Sequence, residues 1–131
     1  MTDSLRVGLI GEAHARVLDD MTARAIGSGD LDVFATPYMV ALMEAAAVSA
    51  VATVLERGYS TVGIEVSVRH LSATPLGETI TAMAEVSEIN GKRITFQVRA
   101  WDEQELIGEG THTRYLIHAE TFLARLHDKA D

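Results

Sequence analysis

The sequence contains no cysteine. Disulfides, a thiolate nucleophile and cysteine-ligated zinc are therefore excluded. Positive charge is scarce as well: 11 Lys and Arg stand against 19 Asp and Glu, a net charge of −8. No basic cluster exists to neutralise phosphates, which argues against a nucleic-acid partner. An anionic substrate would need local arginines to overcome the global field. No stretch reaches the ~20 apolar residues of a membrane crossing without a charge at its centre, so no membrane partner is expected. The opening MTDSLRVGLIGEAHARV lacks the apolar region of a secretory signal, and the expected location is the cytoplasm. No Gly-rich phosphate loop joins a strand to a helix, and no G-x-S-x-G elbow is present. His112 and His118 fall on one strand face but lack a third ligand, so no metal site is expected.

What is present starts with apolar content. Of 131 residues, 47% are hydrophobic, which suits one domain over residues 1–131 with a real core. The stretch Phe34–Arg57 predicts one long helix. Thr36 is expected as its N-cap, Pro37 suits the first helical position, and Gly58 is a natural stop. Between Met39 and Leu55 only Glu44 carries charge. A helix this apolar must be buried on most sides. Its helical neighbours Val40, Ala41, Ala47 and Val48 would bury Glu44 among apolar groups, and a buried carboxylate is costly without partners. Two readings stay open at this point. One is a structural acid tied to a backbone amide or an arginine; the other is a catalytic carboxylate.

The rest of the chain reads in order. Leu5–Leu18 is weakly alternating and predicts a first strand; residues 21–26 predict a short helix. Gly27-Ser28-Gly29-Asp30 is a flexible loop that leads into the long helix and is placed to act as a lid. After Gly58 the hydrophobic period becomes two. Val62, Ile64, Val66 and Val68 alternate with polar residues, and His70 continues the apolar series. Taken alone, such a histidine is more often structural. Thr79–Ile89 and Arg93–Trp101 predict a hairpin around Asn90-Gly91, with Ile80, Ala82, Ala84 and Val86 on one face. Glu105–His118 predicts the last strand, and Ala119–Asp128 a short amphipathic helix. Arg114 shares a face with Gly108, Gly110 and His112 by period two; a strand arginine is ordinarily solvated or paired. The layout is α+β: an antiparallel sheet wrapped around one long central helix. Exposed apolar surface on that helix predicts a homodimer, or a tetramer built from it.

Four motifs carry a family resemblance over about residues 5–128. They are FATPYMVALME from Phe34 to Glu44, Thr61-Val62-Gly63, VSVRHLSATP from Val66 to Pro75, and IGEGTHTR from Ile107 to Arg114. The spacings of 8 from Thr36 to Glu44 and 26 from Glu44 to His70 agree with the family's threonine, glutamate and histidine. The chain resembles the hotdog-fold acyl-CoA thioesterases and, within them, the fluoroacetyl-CoA thioesterase group. The resemblance implies hydrolysis of an acyl-CoA to free acid and coenzyme A. It implies Thr36, Glu44 and His70 as catalytic residues at a dimer interface. It also implies a backbone amide from Gly63 near the thioester carbonyl, Arg114 holding the site or the coenzyme, and no cofactor beyond the coenzyme A of the substrate. The loop Ile26–Asp30 has no aromatic residue where the fluoroacetyl-CoA enzyme has a hydrophobic lid, so another short or medium acyl group is expected. Competing readings are a hotdog hydratase or dehydratase, whose motif is not found, and a non-catalytic acyl-CoA-binding module, which has no need of a buried acid.

Overall fold

Five strands and three helices make up the chain, seen in a computed structural model that describes residues 4–130. Strand β1 (Ile10–Arg16) leads through a single 3-10 turn (Asp19–Met21) and helix α1 (Ala23–Ile26) into α2 (Thr36–Val51). Strands β2 (Tyr59–His70), β3 (Thr79–Asn90), β4 (Arg93–Trp101) and β5 (Leu106–His118) follow, and α3 (Ala119–Ala130) closes the described chain. The strands form one antiparallel sheet in the order β1-β3-β4-β5-β2, which leaves β1 and β2 as its edges. The predicted α+β layout, a sheet around one central helix, is what the chain adopts.

The core lies between α2 and the sheet. Ile80, Ala82, Ala84 and Val86 of β3 and Ile94, Phe96, Val98 and Ala100 of β4 are all buried, as their alternation predicts. Met39, Met43, Ala46, Ala47 and Ala50 of α2 pack against them. Small side chains on α2 let the helix sit low. At Gly11 of β1 an added Cβ would collide with the Ala46 carbonyl and the Ala50 amide, so only glycine admits this approach. The Asn90-Gly91 hairpin forms as expected, with Gly91 in the left-handed region at φ 62°.

The extents of β1 and α2 differ from the sequence reading. Strand β1 covers only Ile10–Arg16 of the expected Leu5–Leu18. Helix α2 ends at Val51, short of Arg57; Val51, Thr53 and Val54 are β-branched and weak helix formers, and Gly58 at φ 89° turns the chain into β2. At the other end Ala35 is the N-cap and Thr36 is already helical, so the Thr36 side chain does not cap the helix.

The sheet side of α2 is buried, while Tyr38 and Val48 on its other side are exposed. On the edge strand β2, Ile64 is 44% and Val66 42% exposed. Among the described residues no helix is long and apolar enough to cross a membrane.

Candidate active site

Freed from capping, the Thr36 hydroxyl turns to the end of β2. Its Oγ1 lies 2.7 Å from Nδ1 of His70, a short hydrogen bond. The other imidazole nitrogen, Nε2, is buried and has no hydrogen-bond partner among the described residues. The His70 ring meets Phe34 edge-on at 6.4 Å. Burial lowers the His70 pKa below the ordinary value; the Ser72 main chain opposes the shift but does not cancel it. A neutral imidazole with its proton on Nε2 accepts from the Thr36 hydroxyl and can take up a proton. Thr36 and His70 open onto a pocket of about 270 Å³, whose walls include Ser28, Val33, Phe34 and Leu71. The loop expected to act as a lid therefore contributes Ser28 to the wall.

Hydrogen bonds from distant elements place this pair. The Phe34 amide donates to the Thr74 carbonyl at 2.9 Å, and the Ala35 amide to the Met21 carbonyl at 3.0 Å. Thr74 is buried, and its hydroxyl donates to Oδ2 of Asp102 at 2.8 Å. Ser72 donates to Glu105 at 2.8 Å. The β4–β5 turn thus tethers both the chain beyond His70 and the chain before Thr36.

A second cluster sits further along α2. Glu44 Oε2 accepts from Arg114 Nη1 at 3.2 Å. Arg114 is buried; its Nε donates to the Thr61 hydroxyl at 2.8 Å and its Nη2 to the Thr61 carbonyl at 3.1 Å. His112 lies behind it, with Nε2 3.1 Å from Arg114 Nη1. Gly63 lies directly beneath Glu44: a Cβ there would stand 2.5 Å from Oε2 and 3.3 Å from Arg114 Nη1. Only a residue without a side chain allows the carboxylate so close to the strand.

The expectation that Glu44 is buried among apolar neighbours is corrected here. Its side chain is 40% exposed within the protomer and ion-paired to a strand arginine. The helix is apolar at that level because it packs on the sheet, and Glu44 projects from the margin of that contact.

Gly63 and His70 are seven residues apart, an odd number that strict alternation would put on opposite faces. A β-bulge at Ile64 inserts one extra residue between Gly63 and Glu65. Gly63 pairs with Arg114, and Val66, Val68 and His70 pair with His112, Gly110 and Gly108, so the whole series faces α2.

The structure therefore joins Thr36 to His70, and Glu44 to Gly63 and Arg114. It does not join the two sets within one protomer. Eight residues of α2 separate Thr36 from Glu44, a rise of about 12 Å. His112 and Thr61 are parts of the second set that sequence reasoning did not assign. The usable signal was period two counted back from Arg114, which puts His112 on the same face. Among the described residues no three His, Cys, Asp or Glu side chains gather around a shared point.

Comparison with known proteins shows the family. The sequence model of a family described as fluoroacetyl-CoA-specific thioesterase matches residues 17–120. A fluoroacetyl-CoA thioesterase of Streptantibioticus cattleyicolor is 45% identical over 98 residues, 75% of this chain and 70% of that protein. A solved fluoroacetyl-CoA thioesterase superposes with a TM-score of 0.87 at 38% identity, covering 95% of this chain and 96% of that one. A variant solved in complex with acetyl-CoA gives a TM-score of 0.90 at 37% identity over 96% and 99% of the two chains. A Thermus thermophilus protein described as a thioesterase superfamily member gives 0.85 at 28% identity over 95% and 94%.

Proposed function

The chain belongs to the fluoroacetyl-CoA-specific thioesterase family of hotdog enzymes, and from that premise we propose that it releases short acyl groups from coenzyme A at a site shared by two copies. It is an acyl-CoA thioesterase. The observation that carries the shared site is the split between the two sets: Thr36 with His70 at the pocket, Glu44 with Arg114 elsewhere on the same helix.

The free edge of β2 supplies the means of joining them. An unpaired edge bearing Ile64 and Val66 is a surface that a second copy covers by strand pairing. Antiparallel pairing of two β2 edges about a two-fold axis at Ser67, with Ile64 as the extra residue of the bulge, sets Gly63 across from His70 of the partner subunit. Glu44, which sits over Gly63, then faces the partner's imidazole. Each dimer carries two such composite sites.

In that arrangement the thioester carbonyl lies between the two sets. The Gly63 amide donates to the oxygen where negative charge develops, while the single Thr36 proton is given to His70. Glu44 either attacks the carbonyl carbon, giving a transient anhydride that water opens, or deprotonates a water that attacks directly. The C–S bond breaks in either route. His70 gives its Nε2 proton to the thiolate and takes one at Nδ1 from the Thr36 hydroxyl, which is restored by the proton that the water gives up. Arg114 holds the carboxylate in place. This chemistry calls for no cofactor beyond the coenzyme A of the substrate, and it suits a cytoplasmic enzyme of one hotdog domain.

The part of the pocket that one protomer supplies is small, which supports a short acyl group. At about 270 Å³ it lies below the ~300–1,000 Å³ of drug-sized ligand sites. Thiol release measured across acetyl-, fluoroacetyl-, butyryl- and octanoyl-CoA tests the reading. Short substrates are expected to be cleaved, and Glu44→Gln and His70→Ala are each expected to lower that rate at least ~100-fold. Equal rates in wild type and both variants would overturn it.

A further inference from the structure

The cluster behind Glu44 contains a buried histidine that the reaction above does not use. His112 is 1% exposed, lies in the middle of β5, and stacks on Phe96 at 6.2 Å with the rings inclined by 27°. Both ring nitrogens are engaged. Nδ1 lies 2.8 Å from the Glu65 carbonyl, and Nε2 lies 3.1 Å from Arg114 Nη1. A carbonyl can only accept and a guanidinium can only donate, so one tautomer satisfies both contacts: proton on Nδ1, lone pair on Nε2. A second proton would set an N–H against the arginine.

We propose that His112 is a positioning residue for the thioesterase reaction, a neutral imidazole that fixes Arg114 and, through it, aims Glu44.

The guanidinium is held at three points. Thr61 accepts from Nε and Nη2, and His112 accepts from Nη1. The second proton of Nη1 remains for Glu44 Oε2 at 3.2 Å. His112 does not itself bond the carboxylate, since its Nε2 is 3.8 Å from Oε2, beyond hydrogen-bond reach. Its own anchor is the Glu65 carbonyl, next to the extra residue of the bulge. The irregularity that brings Gly63 to the helix face thus also offers the carbonyl that fixes the imidazole. The charged groups around His112 are Arg114 on its own strand and Glu44 on α2; β2 presents only a carbonyl, and β4 the uncharged Phe96. Burial lowers its pKa, and the arginine acts in the same direction, against the opposing Glu65 carbonyl and Glu44. The imidazole therefore stays an acceptor at neutral pH.

This proposal rests on the reading of Glu44 as a reacting carboxylate, and two measurements on the full chain separate the two. The first is the imidazole nitrogen spectrum of 15N-labelled protein at pH 7. A protonated Nδ1 and an unprotonated Nε2 for His112 are expected; the opposite tautomer or a doubly protonated ring overturns the proposal. The second is a kinetic cycle with acetyl-CoA as substrate. His112→Leu is expected to lower kcat about 10- to 100-fold, the scale of a misplaced reacting group, with KM within about two-fold. His112→Gln, whose amide can donate to Glu65 and accept from Arg114, is expected to recover most of the loss. In an Arg114→Lys background His112→Leu is expected to cost little more. An unchanged kcat in His112→Leu, equal losses in the Leu and Gln variants, or a full additional loss in the Arg114→Lys background each overturns it. Should His112→Leu fail to fold, the spectrum and the Gln variant decide. Full activity in Glu44→Gln defeats the reading beneath, whereas loss there with an unaffected His112→Leu defeats this proposal alone.

Discussion

His70 and His112 are the same side chain, on neighbouring strands, and burial lowers the pKa of both. Their surroundings equip them for opposite work. His70 stands at the end of β2, against a hydroxyl and a pocket, with one nitrogen left without a partner among the described residues. His112 stands in mid-strand with both nitrogens engaged and an aromatic ring across its face. An imidazole with a spare nitrogen can exchange a proton; one with none holds a geometry. The two poles of the site divide the same way. The Thr36–His70 pole is made of a helix start, a strand end and loops, whereas the Glu44–Arg114 pole stands on the middle of α2 and on paired strands.

The largest expected effect tests whether the poles belong to different subunits. Glu44→Gln and His70→Ala should each be nearly inactive alone. Mixed and re-equilibrated, they form heterodimers with one live composite site, built from the His70 of one chain and the Glu44 of the other. Random assortment of two equal populations puts half the dimers in this class, so about one quarter of wild-type activity should return. No recovery, with exchange of subunits verified by mass spectrometry, would mean that each site lies within one chain.

Next in size is the hydroxyl. Thr36→Val should lower kcat about ten-fold or more by removing the partner of Nδ1, while Thr36→Ser should stay within a few-fold. A Ser variant as poor as Val would show that the methyl group, and not the hydroxyl, is what the site requires.

Both histidines predict a pH dependence of known sign. Their folded pKa values lie below the ordinary value near 6.5, so between the two the unfolded chain binds more protons. The stability they contribute is complete above about pH 6.5 and is lost as pH falls through the lower, folded values. The acid limb of kcat/KM should likewise lie below pH 6.5, because neutral His70 is the form that accepts from Thr36. Urea unfolding at a series of pH values checks the first statement, and a rate profile the second. His112→Gln should flatten the stability curve and leave the His70 contribution in place. A limb centred at or above 6.5 would count against His70 as the base.

Much of this was legible in the chain. The alternation in β3 and β4 is strict, so their buried faces were readable residue by residue, and Asn90-Gly91 marked the hairpin. The spacings among Thr36, Glu44 and His70 singled out residues that the structure places in two separate sets. Their grouping was not readable. Period two runs unbroken through Val62, Ile64, Val66 and Val68, because the bulged residue is itself apolar; nothing in that pattern marks Ile64 as the extra one. Without the bulge, Gly63 and His70 cannot be placed on one face. The role of Thr36 depended on a helix start displaced by one residue, which is the usual uncertainty of a boundary. Glu44 read as buried because its sequence neighbours are apolar, yet Arg114, its partner, comes from 70 residues away.

The smallest expected effect sharpens the division most, because it should fall on one pole only. Asp102 in the β4–β5 turn accepts from the Thr74 hydroxyl and from the amides of Gln104 and Glu105. Desolvation raises its pKa, but these three hydrogen bonds outweigh it and hold the carboxyl below the ordinary value. Asp102→Asn keeps one oxygen for the amides but sets an NH2 group against the Thr74 hydroxyl. The expected cost is about 1 kcal/mol, the scale of one hydrogen bond, or a few degrees in Tm. Thr74 holds Phe34, and Phe34 precedes Thr36, so the strain should reach the hydroxyl and the pocket but not the ion pair on the sheet. The mixed dimer separates these. Asp102→Asn carried on the chain that supplies His70 to the live site should lower the recovered rate by a few-fold at most. Carried on the chain that supplies Glu44, it should leave that rate unchanged. Equal losses from both placements would mean that the turn supports the whole sheet, and the two poles are then not mechanically independent.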